Sequence, residues 1–275
     1  MPVTTDQVVD QIRSHRCHDH PIFQHWAEVN PGPEVVGALF HQIQSFCAST
    51  RPGGNFPASL RELDLPAAGE LFDAIVESED GHGPELATMA GNIVNKAAGQ
   101  TICADLYDQD AVEAKLHEFS DMFLASLPGW DPESGLTVQA RRAIEVFTRR
   151  ENTDRESTLR NLGTAIALEI TSNQMIIPGE KEALIDSGLY GISLEDPEMH
   201  YLLEHWGELG AEQMHEQHAI DAVGLALNED TARYVLEGVN DFLDSVTALW
   251  DVLDAALLNS GMTADAADRQ HATAG

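Results

Sequence analysis

Tyr201–Val223 reads YLLEHWGELGAEQMHEQHAIDAV, with apolar positions recurring at helical rather than strand spacing. Wound at about 100° per residue, His205, Glu208, Glu212 and His215 fall within roughly a quarter-turn of one another. Glu208, Glu212 and His215 stand at i, i+4 and i+7, so one helix would aim three side chains at one point. Two carboxylates and two imidazoles on one stripe are costly to bury unless something pairs with them. A divalent metal does so, because oxygen and imidazole donors together suit iron, manganese or zinc. The bland alternative, a solvated acidic face, sits badly with Tyr201, Ala219 and Ala222 on the same stripe and with flanks that read as core.

Upstream, Arg155–Ile176 contains NLGTAIALEITSNQMI. Leu162, Ala165, Ile166, Leu168, Ile170 and Met175 make an almost wholly apolar helix there, around a single carboxylate, Glu169. A carboxylate so placed is protonated, paired with a structural cation such as an arginine, or bound to a metal. Farther upstream, ESEDGHGPE (Glu77–Glu85) follows a helix carrying Leu71, Phe72, Ile75 and Val76. Glu79 and His82 share a face if the helical path runs on through Gly81; a glycine-capped helix end with a solvated acidic tip is the competing reading. Glu34–Ala48, Pro57–Leu63, Pro66–Glu79, Asp110–Leu127, Leu136–Thr148 and Glu229–Leu258 also keep the helical period, and Glu180–Ser187 reads as a short helix within the connection Pro178–Gly191. Alternating β-branched runs and Asn-Gly hairpins are missing. The pattern predicts one all-α domain over 1–260, a bundle of about seven helices, followed by a small polar tail, 261–275, expected to be disordered.

Forty-six Asp+Glu against 15 Lys+Arg give a formal net charge of −31, which argues against nucleic acid or an anionic membrane as partner. The lysines are only Lys96, Lys115 and Lys181, and an acidic, lysine-poor surface suits a high-salt cytoplasm, where screening removes self-repulsion. Cys17, Cys47 and Cys103 are too few and too scattered for a disulfide framework or a CxxC site. No basic-then-apolar leader opens the sequence, and no apolar run reaches the ~18 residues of a membrane span. The expectation is a cytoplasmic protein acting on a small molecule, compatible with a homodimer.

HRCHDH (His15–His20) has the look of a metal cluster, but a short charged segment without a second ligand group at metal-finger spacing is the stronger reading. HEQH (His215–His218) is one residue too short for the HExxH of zinc proteases, and GxSxG, GxGxxG and phosphate-binding glycine loops are missing. What remains is Glu79 with His82, the stranded Glu169, and Glu208, Glu212 and His215, with His205 in reserve. Carboxylates and imidazoles from several core-facing helices are the ingredients of a dimetal-carboxylate centre in a helical bundle. Such centres favour iron or manganese, and reduced iron with open positions reacts with O2.

At these residues the chain resembles the heme-oxygenase-like diiron oxidases, also labelled iron-containing redox enzymes. The likeness runs from HPIFQHW (His20–Trp26) to the last helix and rests on order: a Glu with a nearby His and glycines, then a lone Glu, then a ligand-rich helix. It implies a heme-oxygenase-like fold, two iron ions with manganese as an alternative, O2 as co-substrate, and oxidation of a small organic molecule such as an amino acid or fatty acid. Glu79 and His82 would match the first ligand helix, Glu169 the second and Glu208, Glu212 and His215 the third, with Glu79, Glu169 and His215 catalytic. The family's third helix usually carries His-x3-Asp-x2-His, so Glu208 and Glu212 replace a His and an Asp. With the longer first-helix spacing of some members, Met89 falls at the histidine position. The same fold also serves cofactor-free enzymes of the thiaminase and quinone-cofactor-synthesis type, in which these groups would act as general acids and bases. The non-catalytic alternative is an acidic helical interaction protein, with the His205–His215 stripe exposed over a purely apolar core.

Overall fold

Local signals set where the helices begin. Thr4 and Gln7 form a reciprocal capping box at the start of α1 (Thr5–Arg13), and α2 (Ile22–Val29) follows. Proline at the first position opens α3 (Pro33–Thr50), and the same device opens α5 (Pro66–Ser78) after the short α4 (Asn55–Glu62). The computed structural model describes residues 2–51, 55–79, 82–207 and 210–273, with the side chains of His82 and of residues 262–273 outside the description. Beyond α6 (His82–Ala98), side-chain caps start three helices in a row: Asp108 for α7 (Gln109–Leu124), Thr137 for α8 (Val138–Thr148) and Asp154 for α9 (Arg155–Thr171). The chain ends with α10 (Ile177–Lys181), α11 (His200–His205), α12 (Ala211–Ala226) and α13 (Ala232–Thr273). Extended pairing among the described residues amounts to one isolated bridge, Asp131–Leu136, so the fold is all-α as the periodicity predicts. Seven α-helices have thirteen residues or more (α3, α5, α6, α7, α9, α12 and α13), and α1, α2, α4, α8, α10 and α11 are shorter.

The bundle is organised on α9. Leu159 and every residue from Asn161 to Thr171 are buried, the signature of a helix enclosed on all sides. It lies along α13 and against α12, while α3 packs on α6, α7 and α8, and α5 packs on α12. Two glycines let α9 and α13 touch backbone to backbone: a Cβ on Gly163 would stand 1.9 Å from the Val235 oxygen, and one on Gly238 would stand 1.9 Å from the Arg160 oxygen.

Several segment expectations are corrected. The continuous helix read through Tyr201–Val223 is broken into α11 and α12. Gly207 holds φ +88°, and a Cβ on Gly210 would come within 2.5 Å of the His205 oxygen. Glycine tolerates both constraints, so the pair ends one helix and starts the next despite an unbroken amphipathic pattern. The shared helical face for Glu79 and His82 also fails, because α5 ends at Ser78 with Glu79 as its C-cap and α6 starts anew at His82. The connection read from Pro178 onward is corrected as well, because α9 runs into it without leaving the helix. The helix widens into a π turn over Ser172–Ile176, in which Ile177 N–H bonds to Ser172 O, and Pro178 enters at the start of α10. The wide turn makes room for a ring that would otherwise strike the preceding turn and has no N–H to give. A second π turn follows over Glu182–Asp186. α13 continues past the expected end at Leu258, and the tail reading, 261–275, falls almost wholly outside the described side chains.

Candidate metal centre

Four of the sequence-predicted residues, with the reserve histidine, meet where the end of α5, the last turn of α9, the end of α11 and the start of α12 converge. Glu169 is 5% exposed, His205 3%, Glu212 6% and His215 0%; Glu79 is half-buried beside them. Ligand atoms of Glu169, Glu212 and His215 all lie within 4.8 Å of one another. His215 Nδ1 is 3.4 Å from Glu79 Oε1 and 3.7 Å from Glu169 Oε2, and His205 Nε2 is 3.8 Å from Glu212 Oε1. Donors that share an ion at about 2.0–2.2 Å stand about 3.0–3.6 Å apart at tetrahedral to octahedral angles; the 3.4 Å pair falls inside that range, the 3.7 and 3.8 Å pairs just beyond it, and all three are longer than an ordinary N–H···O hydrogen bond. Glu208 and the side chain of His82 lie outside the described residues, and Met89 is wholly buried in the core.

The far side of each imidazole is tied back. His205 Nδ1 stands 2.6 Å from the Tyr201 carbonyl oxygen; a carbonyl only accepts, so Nδ1 carries the proton, and in the neutral ring Nε2 turns its lone pair toward Glu212. His215 Nε2 stands 2.9 Å from Ser78 Oγ, leaving Nδ1 to face Glu79 and Glu169. The carbonyl fixes both ring and tautomer at His205, whereas the Ser78 hydroxyl, which can donate or accept, fixes only the ring at His215; an outer hydrogen bond of this kind is the usual support of a metal-ligating histidine. Sequence reading kept His205 in reserve, whereas the broken helix brings it to the carboxylates by a separate route.

The carboxylates of the centre differ in how they are held. Burial, with the nearby Glu79 charge, pushes the Glu169 carboxyl up to about 8, and the Arg150 charge only partly opposes this. Burial and the charges of Glu169, Glu79, Glu180 and Glu216 push Glu212 well above the ordinary carboxylate range. Glu212 Oε2 has no hydrogen-bond partner among the described residues. The arginine that could have neutralised Glu169 is Arg150, but it donates Nη1 to Thr50 O, lies over the Phe147 ring at 4.5 Å, and forms no ion pair with Glu169. Glu216, one turn beyond Glu212, shows the contrast. Its Oε1 accepts from Arg13 Nη2 and Gln174 Nε2, each at 2.8 Å, and its Oε2 accepts from Asn173. Glu216 is structural; Glu212 has an oxygen left over.

Glu79, Glu169, Glu212 and His205 form part of the wall of a cavity of about 260 Å³, together with apolar side chains that include Phe46 and Leu168. Glu180, which sequence reading passed over, is 3% exposed, has no partner for Oε2 among the described residues, and is pushed up by burial to about 8. It sits between the two π turns, in a stretch whose Pro178-Gly179 reads as a connection. Among the described residues the HRCHDH segment joins no cluster of three metal-type ligands; His15 and His20 lie against Asp244 and Asp251 of α13. A second acid–histidine group, Glu85, His200 and Glu204, is half-buried to exposed. No helix among the described residues is long and apolar enough to cross a membrane. Comparison of the chain with protein-family models, with curated proteins and with solved structures returned no match.

Proposed function

We propose that the chain binds two divalent metal ions, iron foremost with manganese as the alternative, and activates O2 to oxidise a small organic molecule. The observation that carries this reading is the pair of back-tied imidazoles: His205 and His215 turn opposite nitrogens onto one set of buried carboxylates, of which Glu212 keeps an unmet oxygen. A protein that only needed a stable core would gain by replacing such groups with apolar ones. The interaction-protein reading requires the His205–His215 stripe to be exposed, and its described histidines are buried.

When bound, reduced iron with open positions supplies one-electron chemistry with O2. The chain's own groups have separable tasks. His215 and Glu169 would hold a metal on the α9–α12 side of the centre, and His205 and Glu212 would hold one on the α11–α12 side. Leu168 and Phe46 keep the adjoining cavity apolar and limit water beside the ligands. Glu169, whose carboxyl stays protonated near neutrality without a cation, must release that proton on metal binding, so affinity rises with pH. Anaerobic titration of the metal-free full chain with Fe(II) tests the reading: two ions per chain with His205→Ala and His215→Ala each impaired is the expected result. Substoichiometric binding that both variants leave unchanged overturns it.

One observation favours a second reading. Glu169, in the cavity wall with its carboxyl pushed up to about 8, stands 3.7 Å from His215 Nδ1 behind it, and the two could work as a general acid–base pair. Turnover that survives exhaustive chelation separates it from the metal reading.

A further inference from the structure

Glu216, the neighbour of His215 on α12, takes two of its three donors from the π turn that follows Glu169. Its Oε1 accepts from Gln174 Nε2 at 2.8 Å and its Oε2 from Asn173 Nδ2, while Arg13 Nη2 reaches Oε1 from α1 at 2.8 Å. Glu216 is buried, whereas the Arg13 side chain is half-exposed. Among the described residues, every side-chain hydrogen bond of Ser172–Ile176 goes to this one carboxylate. Asn173 stands four residues past Glu169, and Glu216 four residues past Glu212. A four-residue step is close to one full turn. The two helices therefore meet twice: at the centre, through Glu169 and the ligands of α12, and one turn farther along, through Asn173 and Glu216.

A single contact between two helices leaves them free to slide and twist about it, and a second contact one turn away removes both freedoms. The need is acute here, because a π turn departs from regular winding at the very point where α9 leaves the centre; such turns are frequent at functional sites. Charge-assisted bonds to a shielded carboxylate are the stronger kind of hydrogen bond, and two of them grip adjacent residues of the turn. We infer that Glu216, through Asn173 and Gln174, is a positioning residue: it holds the π turn against α12 and so keeps Glu169 facing His215 and Glu212. That the aligned groups hold metal rests on the function proposed above; the alignment itself does not.

The test leaves Glu216 in place, because its charge is felt at Glu212 and replacing it would alter the electrostatics of the centre along with the alignment. The full chain carrying Asn173→Ala and Gln174→Ala together loses the ties to the π turn, and Gln174→Ala alone is the milder variant. Arg13→Ala removes a bond to the same carboxylate and leaves those ties intact. All three are expected to melt earlier than wild type, so the readout is taken at the centre. In the metal-free chain carrying isotope-labelled histidine, the ring signals of His215 are identified by their loss in His215→Ala. They should shift in the double variant, shift less in Gln174→Ala, and stay in place in Arg13→Ala. Co(II), whose visible spectrum reports its coordination number, then serves as the metal probe. The double variant should bind it at least about tenfold more weakly than wild type and with an altered spectrum, and Arg13→Ala no more weakly. Unchanged His215 signals in the double variant overturn the inference. So does unchanged Co(II) binding where wild type takes the ion up, or an equal change in Arg13→Ala, which would reduce the clamp to general stability. If wild type takes up no Co(II) while the His215 signals move as expected, the proposed function falls and the positioning stands.

Discussion

Two clusters in this molecule are built from the same parts. Glu169, Glu212 and His215 bring ligand atoms within 4.8 Å of one another, and so do Glu85, His200 and Glu204. At the second, His200 Nε2 stands 3.1 Å from Glu204 Oε1, four residues along the exposed face of α11, an arrangement worth about 0.3–0.5 kcal/mol in water when both groups are charged. At the first, the groups are sealed among apolar helices, Glu212 has an oxygen without a partner, and both histidines are held from behind. Residue type and spacing do not separate the two. What separates them is how far dehydration reaches: in the outer cluster it touches only Glu85, whose Oε2 is also buried without a partner among the described residues, while His200 and Glu204 stay exposed; in the inner cluster all three groups are buried.

Metal affinity should divide the clusters most sharply. Glu169→Ala or His215→Ala is expected to lower Fe(II) affinity about 100-fold or more, while His200→Ala and Glu204→Ala leave it unchanged; equal losses at both clusters would erase the distinction. Proton balance should show burial next. Glu180 goes from an ordinary 4.5 to about 8 in the folded chain, so between those values the folded state holds more protons than the unfolded one. Stability of the metal-free chain should therefore fall as pH rises across that window, by up to about 1.4 kcal/mol per pH unit for this one group. Urea unfolding of Glu180→Gln should show a shallower slope, and an identical slope would mean that the carboxyl is hydrated in solution.

The glycine break gives a smaller effect. Gly207→Ala forces a side chain into φ +88° and should cost about 1–3 kcal/mol in thermal unfolding, with a loss of metal affinity through His205 that Gly188→Ala, a positive-φ glycine elsewhere, does not share. Smallest of all, Glu204→Ala should shift stability by no more than about 0.5 kcal/mol, and a larger loss would show that the outer cluster is more than a solvated pair.

The all-α class and the enclosure of Glu169 could be read from the sequence, because a 3.6-residue period and a lone carboxylate among apolar residues are local signals. The break between α11 and α12 could not, although Gly207 and Gly210 were in plain view. Helical periodicity continues through them, and only the close approach of Gly210 to the His205 carbonyl shows that the chain must turn there. His205 consequently reaches the centre from a helix of its own, while the place of Glu208 lies outside the described residues. Gln44 and Glu113 each look like the polar face of an amphipathic helix; their hydrogen bond spans 69 positions, a separation at which no pattern along the chain points from one to the other. Arg150 was anticipated as a type, an arginine near Glu169, but not in its actual role, packed on Phe147 and bound to a backbone oxygen.

A π turn holds one residue more than an α turn, so Ser172–Ile176 is an insertion retained in the backbone. Deleting any one of those residues would restore a regular helix and rotate α9 against Pro178 by about 100°. Glu169 would leave its companions while every ligand remained in the sequence. The aim of the centre is thus a matter of phase, fixed by how many residues lie between Glu169 and Pro178 as much as by which ones they are.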